Sequence, residues 1–245
     1  MSASPTTRTV FVTGGSRGIG LEISRALLRD GYDVVCVARK VTDDYEELRS
    51  LHGTRADFMA ADLGSRADLD AVARRIRTCP GMYGLVNNAG VAITGLHTSL
   101  PRDAMEQMLS VNLMAPMVLS QAAVKAMIRA RTGRIVTIGS VGAQRPYRGL
   151  SAYAATKAAL EGFTRVLAAE AGAWGITANC VAPGFVDTAM SAGLDEETRR
   201  RVQRRSMLPH ETLPRDVAET VSFLMSPAAG SLTAEVLRVD GGAAA

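Results

Sequence analysis

Short apolar runs alternate along the chain with longer segments whose apolar positions recur every three or four residues, from residue 9 to residue 239. The short runs, at residues 9–13, 33–38, 57–61, 83–87, 134–138, 177–182 and 236–239, predict strands. The longer segments predict helices over residues 18–30, 65–77, 102–129, 152–173, 194–205 and 214–225, the first closed by Gly31. Strand and helix taken in turn predict an α/β fold, a doubly wound parallel sheet with helices on both faces. No Pro/Ser-rich linker, charge block or internal repeat divides the 245 residues, so residues 1–245 read as a single domain. Residues 1–7, with Pro, Ser and Thr, read as a loose arm.

Composition narrows the function classes. The net charge of +4 is too mild to point to nucleic acid. No signal segment opens the chain and no apolar run is expected to reach membrane-spanning length, which points to the cytoplasm and away from a membrane partner. Cys36, Cys79 and Cys180 are scattered, and Cys36 and Cys180 fall in apolar runs, as buried structural thiols do. His52, His97 and His210 have no metal-ligand spacing, and no metal is expected. The methionines at 105, 108, 114, 117 and 127 read as core or groove packing.

Two stretches carry chemistry. The first is Thr13-Gly-Gly-Ser-Arg-Gly-Ile-Gly20, set between an apolar strand and an amphipathic helix. Glycines there permit close backbone approach, and the helix start offers free N–H groups to a dinucleotide pyrophosphate. The second is the Ala-rich helix from Ser151, which places Tyr153 and Lys157 four residues apart on one face. An isolated phenol exchanges its proton poorly at neutral pH; a neighbouring cation favours the phenolate and brings it into range as a general acid/base. Ser140 ends the fifth strand-like run, so its hydroxyl emerges at a strand end, where it would donate to a substrate carbonyl.

With Asp62-Leu63, Asn87-Asn-Ala-Gly90, Asn112 and the run from Pro183 to Thr188 at the same order and spacing, the chain resembles the short-chain dehydrogenase/reductases from about Thr9 to Gly242. Among these it looks most like the 3-oxoacyl-(acyl-carrier-protein) reductases and polyketide ketoreductases. The resemblance implies a Rossmann-type sheet, a catalytic set of Asn112, Ser140, Tyr153 and Lys157, and reduction of a 3-oxoacyl thioester. Tyr153 would give the proton and Ser140 would hold the carbonyl oxygen. Lys157 would serve both Tyr153 and the nicotinamide ribose, and Asn112 would anchor a water chain through its side chain and kinked backbone. It implies cofactor contacts at Gly14, Ser16, Arg17, Gly18, Ile19 and Gly20, at Asp62 and Leu63 beside the adenine, and at Asn88, Ala89 and Gly90. Pro183, Gly184, Val186 and Thr188 complete that set. A homotetramer is implied as well, with Ala155, Ala158, Ala159 and Gly162 forming a small-residue face on the Tyr/Lys helix.

The second strand ends in Ala38-Arg-Lys with no acid to bind ribose hydroxyls, so Arg39 with Arg17 would pair a 2′-phosphate, and NADPH is the expected cofactor. Arg199, Arg200 and Arg204 lie in a basic segment at residues 195–205, and Arg129, Arg131 and Arg134 form a second cluster. Arg129, Arg131, Arg199, Arg200 and Arg204 are the candidates for docking an acyl carrier protein or coenzyme A. The chain departs from the family pattern at Trp174, where a docking arginine stands, and at Thr233-Ala-Glu235, where a glycine stands. A dehydrogenase of a free alcohol, sugar or steroid is the alternative reading, and a non-catalytic cofactor sensor a more distant one.

Overall fold

The computed structural model describes residues 8–187 and 206–244. The loose arm at residues 1–7 and the helix expected at 194–205 lie outside the described residues. Seven strands form one parallel sheet: β1 (Thr9–Thr13), β2 (Asp33–Ala38), β3 (Ala56–Ala60), β4 (Met82–Asn87), β5 (Gly133–Ile138), β6 (Ile176–Pro183) and β7 (Val236–Val239). Their spatial order is β3-β2-β1-β4-β5-β6-β7. The chain runs outward from β1 to β3, then returns to pair β4 on the other side of β1. That reversal opens a crevice at the carboxyl ends of β1 and β4, where doubly wound sheets bind their ligands.

Alternation along each strand divides the core in two. Val10, Val12, Val34, Cys36, Val86 and Val136 pack beneath α1 (Gly18–Arg29), α2 (Asp43–His52) and α7 (Pro214–Met225). Phe11, Val35, Val37, Leu85 and Ile135 pack on the other face beneath α3 (Arg66–Arg77), α5 (Ala115–Met127) and α6 (Ser151–Ala171). Burial pushes the Cys36 and Cys180 thiols up to about 12, so both are inert packing groups.

Helix α2 is absent from the sequence expectations. It is charged nearly all round and buries only Tyr45 and Leu48, which leaves little periodic signal. Its start was nonetheless written in the chain: the Thr42 side chain accepts from Tyr45 N–H, and Asp43, Asp44 and Glu46 fill the first turn.

The helix expected over residues 102–129 is broken. α4 (Arg102–Leu109) gives way to a π-helical turn at Ser110–Met114 before α5 resumes. Pro116 has no N–H to offer the Asn112 carbonyl four residues earlier, and its ring crowds that carbonyl. Against expectation, Arg102–Ala130 is long and apolar enough, by length and composition alone, to cross a membrane. Packing of Met108, Leu119, Ala123 and Met127 into the protein interior accounts for that composition. Met114 and Met117 depart from the expected core role; they are exposed on the outer face, as is Leu109.

Ala234 adopts φ +65° in the turn before β7, where the resembling family carries glycine. An alanine there costs about 1–2 kcal/mol. The Ala234 N–H donates to the Ala178 carbonyl at 2.8 Å, and Thr233 Oγ1 accepts from Ala178 N–H, so the turn is held from both sides despite the strain.

Candidate active site

The glycine turn is welded to the end of β4. Thr13 Oγ1 accepts from the N–H groups of Asn88 and Ala89 at 2.9 and 3.0 Å, and Asn88 Nδ2 donates back to the carbonyls of Thr13 and Gly14. Gly14 has φ +64°, a region that favours glycine. A Cβ on Gly20 would stand 2.5 Å from Asn88 Nδ2 and 2.1 Å from the Gly14 carbonyl oxygen, so α1 starts tight against the turn. Arg17, the residue before α1, is extended and its side chain does not cap the helix, and no acid occupies the first turn. The N–H groups of Gly18, Ile19 and Gly20 therefore form an uncapped, electropositive helix start on a rigid floor. This fits a pyrophosphate.

Arg17 and Arg39 are both exposed around this turn. Thr42 Oγ1 donates to the Ser16 carbonyl at 2.5 Å and Gly14 N–H to the Val37 carbonyl at 2.7 Å, which joins the loop after β2 to the glycine turn. Asp62 accepts from Gly64 N–H through its carboxylate and is exposed. Leu63, expected beside the adenine, buries its side chain in the second core. Pro183 ends β6, Gly184 N–H donates to the Val239 carbonyl, and Val186 is buried against the first core. Thr188 lies outside the described residues.

The four residues expected to be catalytic converge at the same sheet edge. Past the end of β5, Ser140 is extended and caps the short turn Val141–Ala143, with Oγ accepting from Gly142 N–H at 3.1 Å. That leaves the hydroxyl hydrogen available to a carbonyl oxygen. A Cβ on Gly142 would stand 3.2 Å from Ser140 Oγ and 3.8 Å from Tyr153 Cε1, which sets Ser140 and Tyr153 on either side of one small space. Lys157 is buried; its Nζ donates to the Ile138 carbonyl at 2.8 Å and lies 5.7 Å from the centre of the Tyr153 ring. A Cβ on Gly90 would stand 3.6 Å from that ammonium and 3.4 Å from Asn112 Oδ1, so the end of β4 closes the cluster.

Asn112 differs from the expectation in one respect. Its Oδ1 accepts from Val91 N–H and its Nδ2 donates to the Val91 carbonyl, both at 2.8 Å, with a second Nδ2 contact to Thr156 Oγ1 at 3.2 Å. The side-chain donors are spent on the loop and on α6. Pro116 has no amide hydrogen to offer the Asn112 backbone carbonyl. Two positioning residues escaped the sequence reading. Thr13 gathers β1 and β4, and Thr156, whose Oγ1 also donates to the Tyr153 carbonyl at 2.7 Å, ties the Tyr/Lys turn to the kink. A buried polar residue inside an apolar strand or beside a catalytic pair was the available signal.

Of the three arginines expected to cluster, Arg129 and Arg131 are exposed and Arg134 is not. Arg134 is buried over the Tyr83 ring, its guanidinium carbon 5.8 Å from the centroid. Arg131 takes φ +50° and donates to the Ala173 carbonyl, just past the far end of α6. That is about 30 Å along the helix direction from Tyr153, taking about 1.5 Å per residue. Arg129 shares this edge, at the amino ends of the strands, opposite the Ser140–Tyr153–Lys157 cluster. Arg199, Arg200 and Arg204 lie outside the described residues.

Comparison with known proteins adds the following. Residues 8–199 match the short chain dehydrogenase family. The chain is 34% identical over 238 residues to the 3-oxoacyl-(acyl-carrier-protein) reductase of Vibrio cholerae, covering 96% of each chain. A solved structure from Beutenbergia cavernae, provisionally assigned as an NAD(P)-dependent gluconate 5-dehydrogenase and holding NADP at low occupancy, superposes with TM-score 0.91 at 35% identity. That match covers 98% of each chain. A short-chain dehydrogenase/reductase variant from Serratia marcescens superposes at 0.90 with 34% identity, over 99% of this chain and all of that one.

Proposed function

We propose, since the chain belongs to the short chain dehydrogenase family, that this oxidoreductase reduces the ketone of a 3-oxoacyl thioester with NADPH. The observation that carries the reading is the meeting of Ser140, Tyr153 and a buried Lys157 at the sheet edge that also holds the open glycine turn. Relatives named as 3-oxoacyl reductases, matched over nearly their whole length, favour the thioester. A free polyhydroxy acid is the second reading, favoured by the resemblance to a provisional gluconate dehydrogenase.

In this reading the Ser140 hydroxyl donates to the carbonyl oxygen and holds charge that develops there. Tyr153 gives that oxygen its proton. The Lys157 ammonium stabilises the phenolate that remains, and the backbone at Asn112 orients the water that returns the proton. NADPH, when bound, supplies the hydride. Gly18, Ile19 and Gly20 hold its pyrophosphate, and Arg17 and Arg39 its 2′-phosphate. Three free thiols accord with a reducing cytoplasm.

Steady-state assays of acetoacetyl-coenzyme A reduction with NADPH and NADH, and of gluconate oxidation with NADP+ and NAD+, test the reading. Acetoacetyl-coenzyme A with NADPH is expected to give the highest kcat/KM, and Arg39→Asp to erase or reverse the cofactor preference. Faster turnover of gluconate would select the second reading, and equal use of NADH by the parent would remove the role given to Arg39.

The protein is proposed to assemble as a homotetramer. On α6, Ala155, Ala158 and Ala159 are exposed and a Cβ on Gly162 meets nothing within 4 Å, so this small-residue face packs on no described element. Met114, Met117 and Val166 extend the exposed apolar surface. Such a face suits close helix pairing across a two-fold axis. Light scattering at micromolar concentration is expected to give four times the chain mass of 25.9 kDa; a monomer would contradict the assembly.

A further inference from the structure

Beside the catalytic cluster a second cavity, of about 530 Å³, is walled by the segment at residues 142–151 together with His97 and Ala154. Gly142 borders both this cavity and the space between Ser140 and Tyr153, so the two are immediate neighbours. Two arginines, Arg145 and Arg148, line it, and no Asp or Glu does among the described residues. Arg148 is exposed and makes no ion pair or hydrogen bond among the described residues. His97 is held to Ser151 through Nδ1 at 3.3 Å.

The wall is braced. Gly149, at φ +85°, accepts from Gly95 N–H through its carbonyl at 3.0 Å. Arg145 N–H donates to the Val141 carbonyl, Leu150 N–H to the Tyr147 carbonyl, and Gln144 Nε2 to Glu161 on α6. A guanidinium carried on a pinned loop in a concave site presents a planar fork of donors that matches the two oxygens of a carboxylate or phosphate. Arg148 and Tyr153 are five positions apart, which keeps their Cα atoms within about 18 Å even for extended chain, and α6 has already begun between them. An anion held by Arg148 therefore lies within the length of a single substrate whose ketone rests on Tyr153.

We infer that this cavity is an oxyanion-binding subsite in which Arg148 anchors a negatively charged group of the substrate. The inference rests on the ketone reduction proposed above. It assigns specificity to a loop at the catalytic edge rather than to the arginines at residues 129–131. The oxyanion comes from a carboxylate on the substrate's own chain or from the phosphate of its thioester arm; both offer the guanidinium the same pair of oxygens.

Two matched pairs of substrates separate these sources. At saturating NADPH, parent and Arg148→Gln proteins are assayed with acetoacetyl-coenzyme A against the neutral N-acetylcysteamine thioester, and with a small keto acid against its methyl ester. In one pair the preference for the anionic member is expected to fall about tenfold, carried by KM, as loss of a hydrogen bond to a charged group implies. Arg148→Lys is expected to restore part of it, and the pair that responds identifies the source. Unchanged preferences in both pairs would overturn the inference while leaving the proposed reaction standing. Calorimetric titration of the keto acid and of coenzyme A into the Tyr153→Phe protein, with and without Arg148→Gln, reads the same contrast without turnover. Should no substrate be reduced, that failure belongs to the proposed reaction, and equal affinities in the titration would still refute the subsite.

Discussion

Tyr153→Phe is expected to lower kcat by about a hundredfold to ten-thousandfold, the range that a positioned proton donor contributes. Cofactor affinity should stay within a few-fold of the parent's. The reasoning is local: the ring keeps its place beside Gly142 and 5.7 Å from Lys157 Nζ, and only the hydroxyl is lost. The hydrogen bonds that hold the cradle formed by residues 13–20 and 88–90 do not involve that hydroxyl. Stopped-flow turnover and fluorescence titration of NADPH measure the two quantities separately. Retention of parental turnover would remove Tyr153 from the chemistry, whereas parallel loss of affinity and rate would make it a structural residue.

Gly20→Ala is expected to cost about 3 kcal/mol of stability and to weaken NADPH binding. Overpacking a tight site typically costs 1–3 kcal/mol and sometimes more. Here the added methyl would fall 2.1 Å from the Gly14 carbonyl oxygen and 2.5 Å from Asn88 Nδ2. Neither neighbour yields freely: Gly14 belongs to the turn itself, and Asn88 is held by two carbonyls and Thr13. A loss of that size in a chain of this length lowers Tm by roughly 6–12 °C. Thermal unfolding followed by circular dichroism checks it, and a variant with parental Tm and parental NADPH affinity would show that the turn relaxes at little cost. Gly31 supplies the contrast, since a Cβ there meets nothing within 4 Å, although its φ of +89° still favours glycine.

What was legible in the sequence follows from how strongly each element is tied to a local pattern. The seven strands stand as expected to within a residue or so because their apolar runs are short and bounded by turn residues. The glycine turn and the Tyr/Lys pair were visible because each is a contiguous motif with a physical requirement. α2 was missed because a charged helix with two buried residues has almost no periodicity, and because its capping residues were not weighed. The break in the 102–129 helix was foreseen only as a kink at Asn112. Its location depends on Pro116 acting four residues back, a relation that apolar periodicity does not express. The cluster at Arg129, Arg131 and Arg134 illustrates a further limit. Neighbours in sequence crossed from a loop into a strand, and β5 turned Arg134 inward over the Tyr83 ring while Arg131 turned toward the end of α6.

Asn112 shows how small the chemical alphabet is at the bend. Its amide pairs with Val91 as one peptide unit pairs with another across a sheet, offering an acceptor and a donor side by side at 2.8 Å each. Aspartate has the same shape but turns an oxygen toward the Val91 carbonyl, two lone pairs facing each other. Glutamine keeps both groups but carries one more methylene into a position without solvent access. Leucine has the volume and neither group. Position 112 is thus spelled by a single side chain, and the interruption of the helix and the loop that crosses it are written by the same letter.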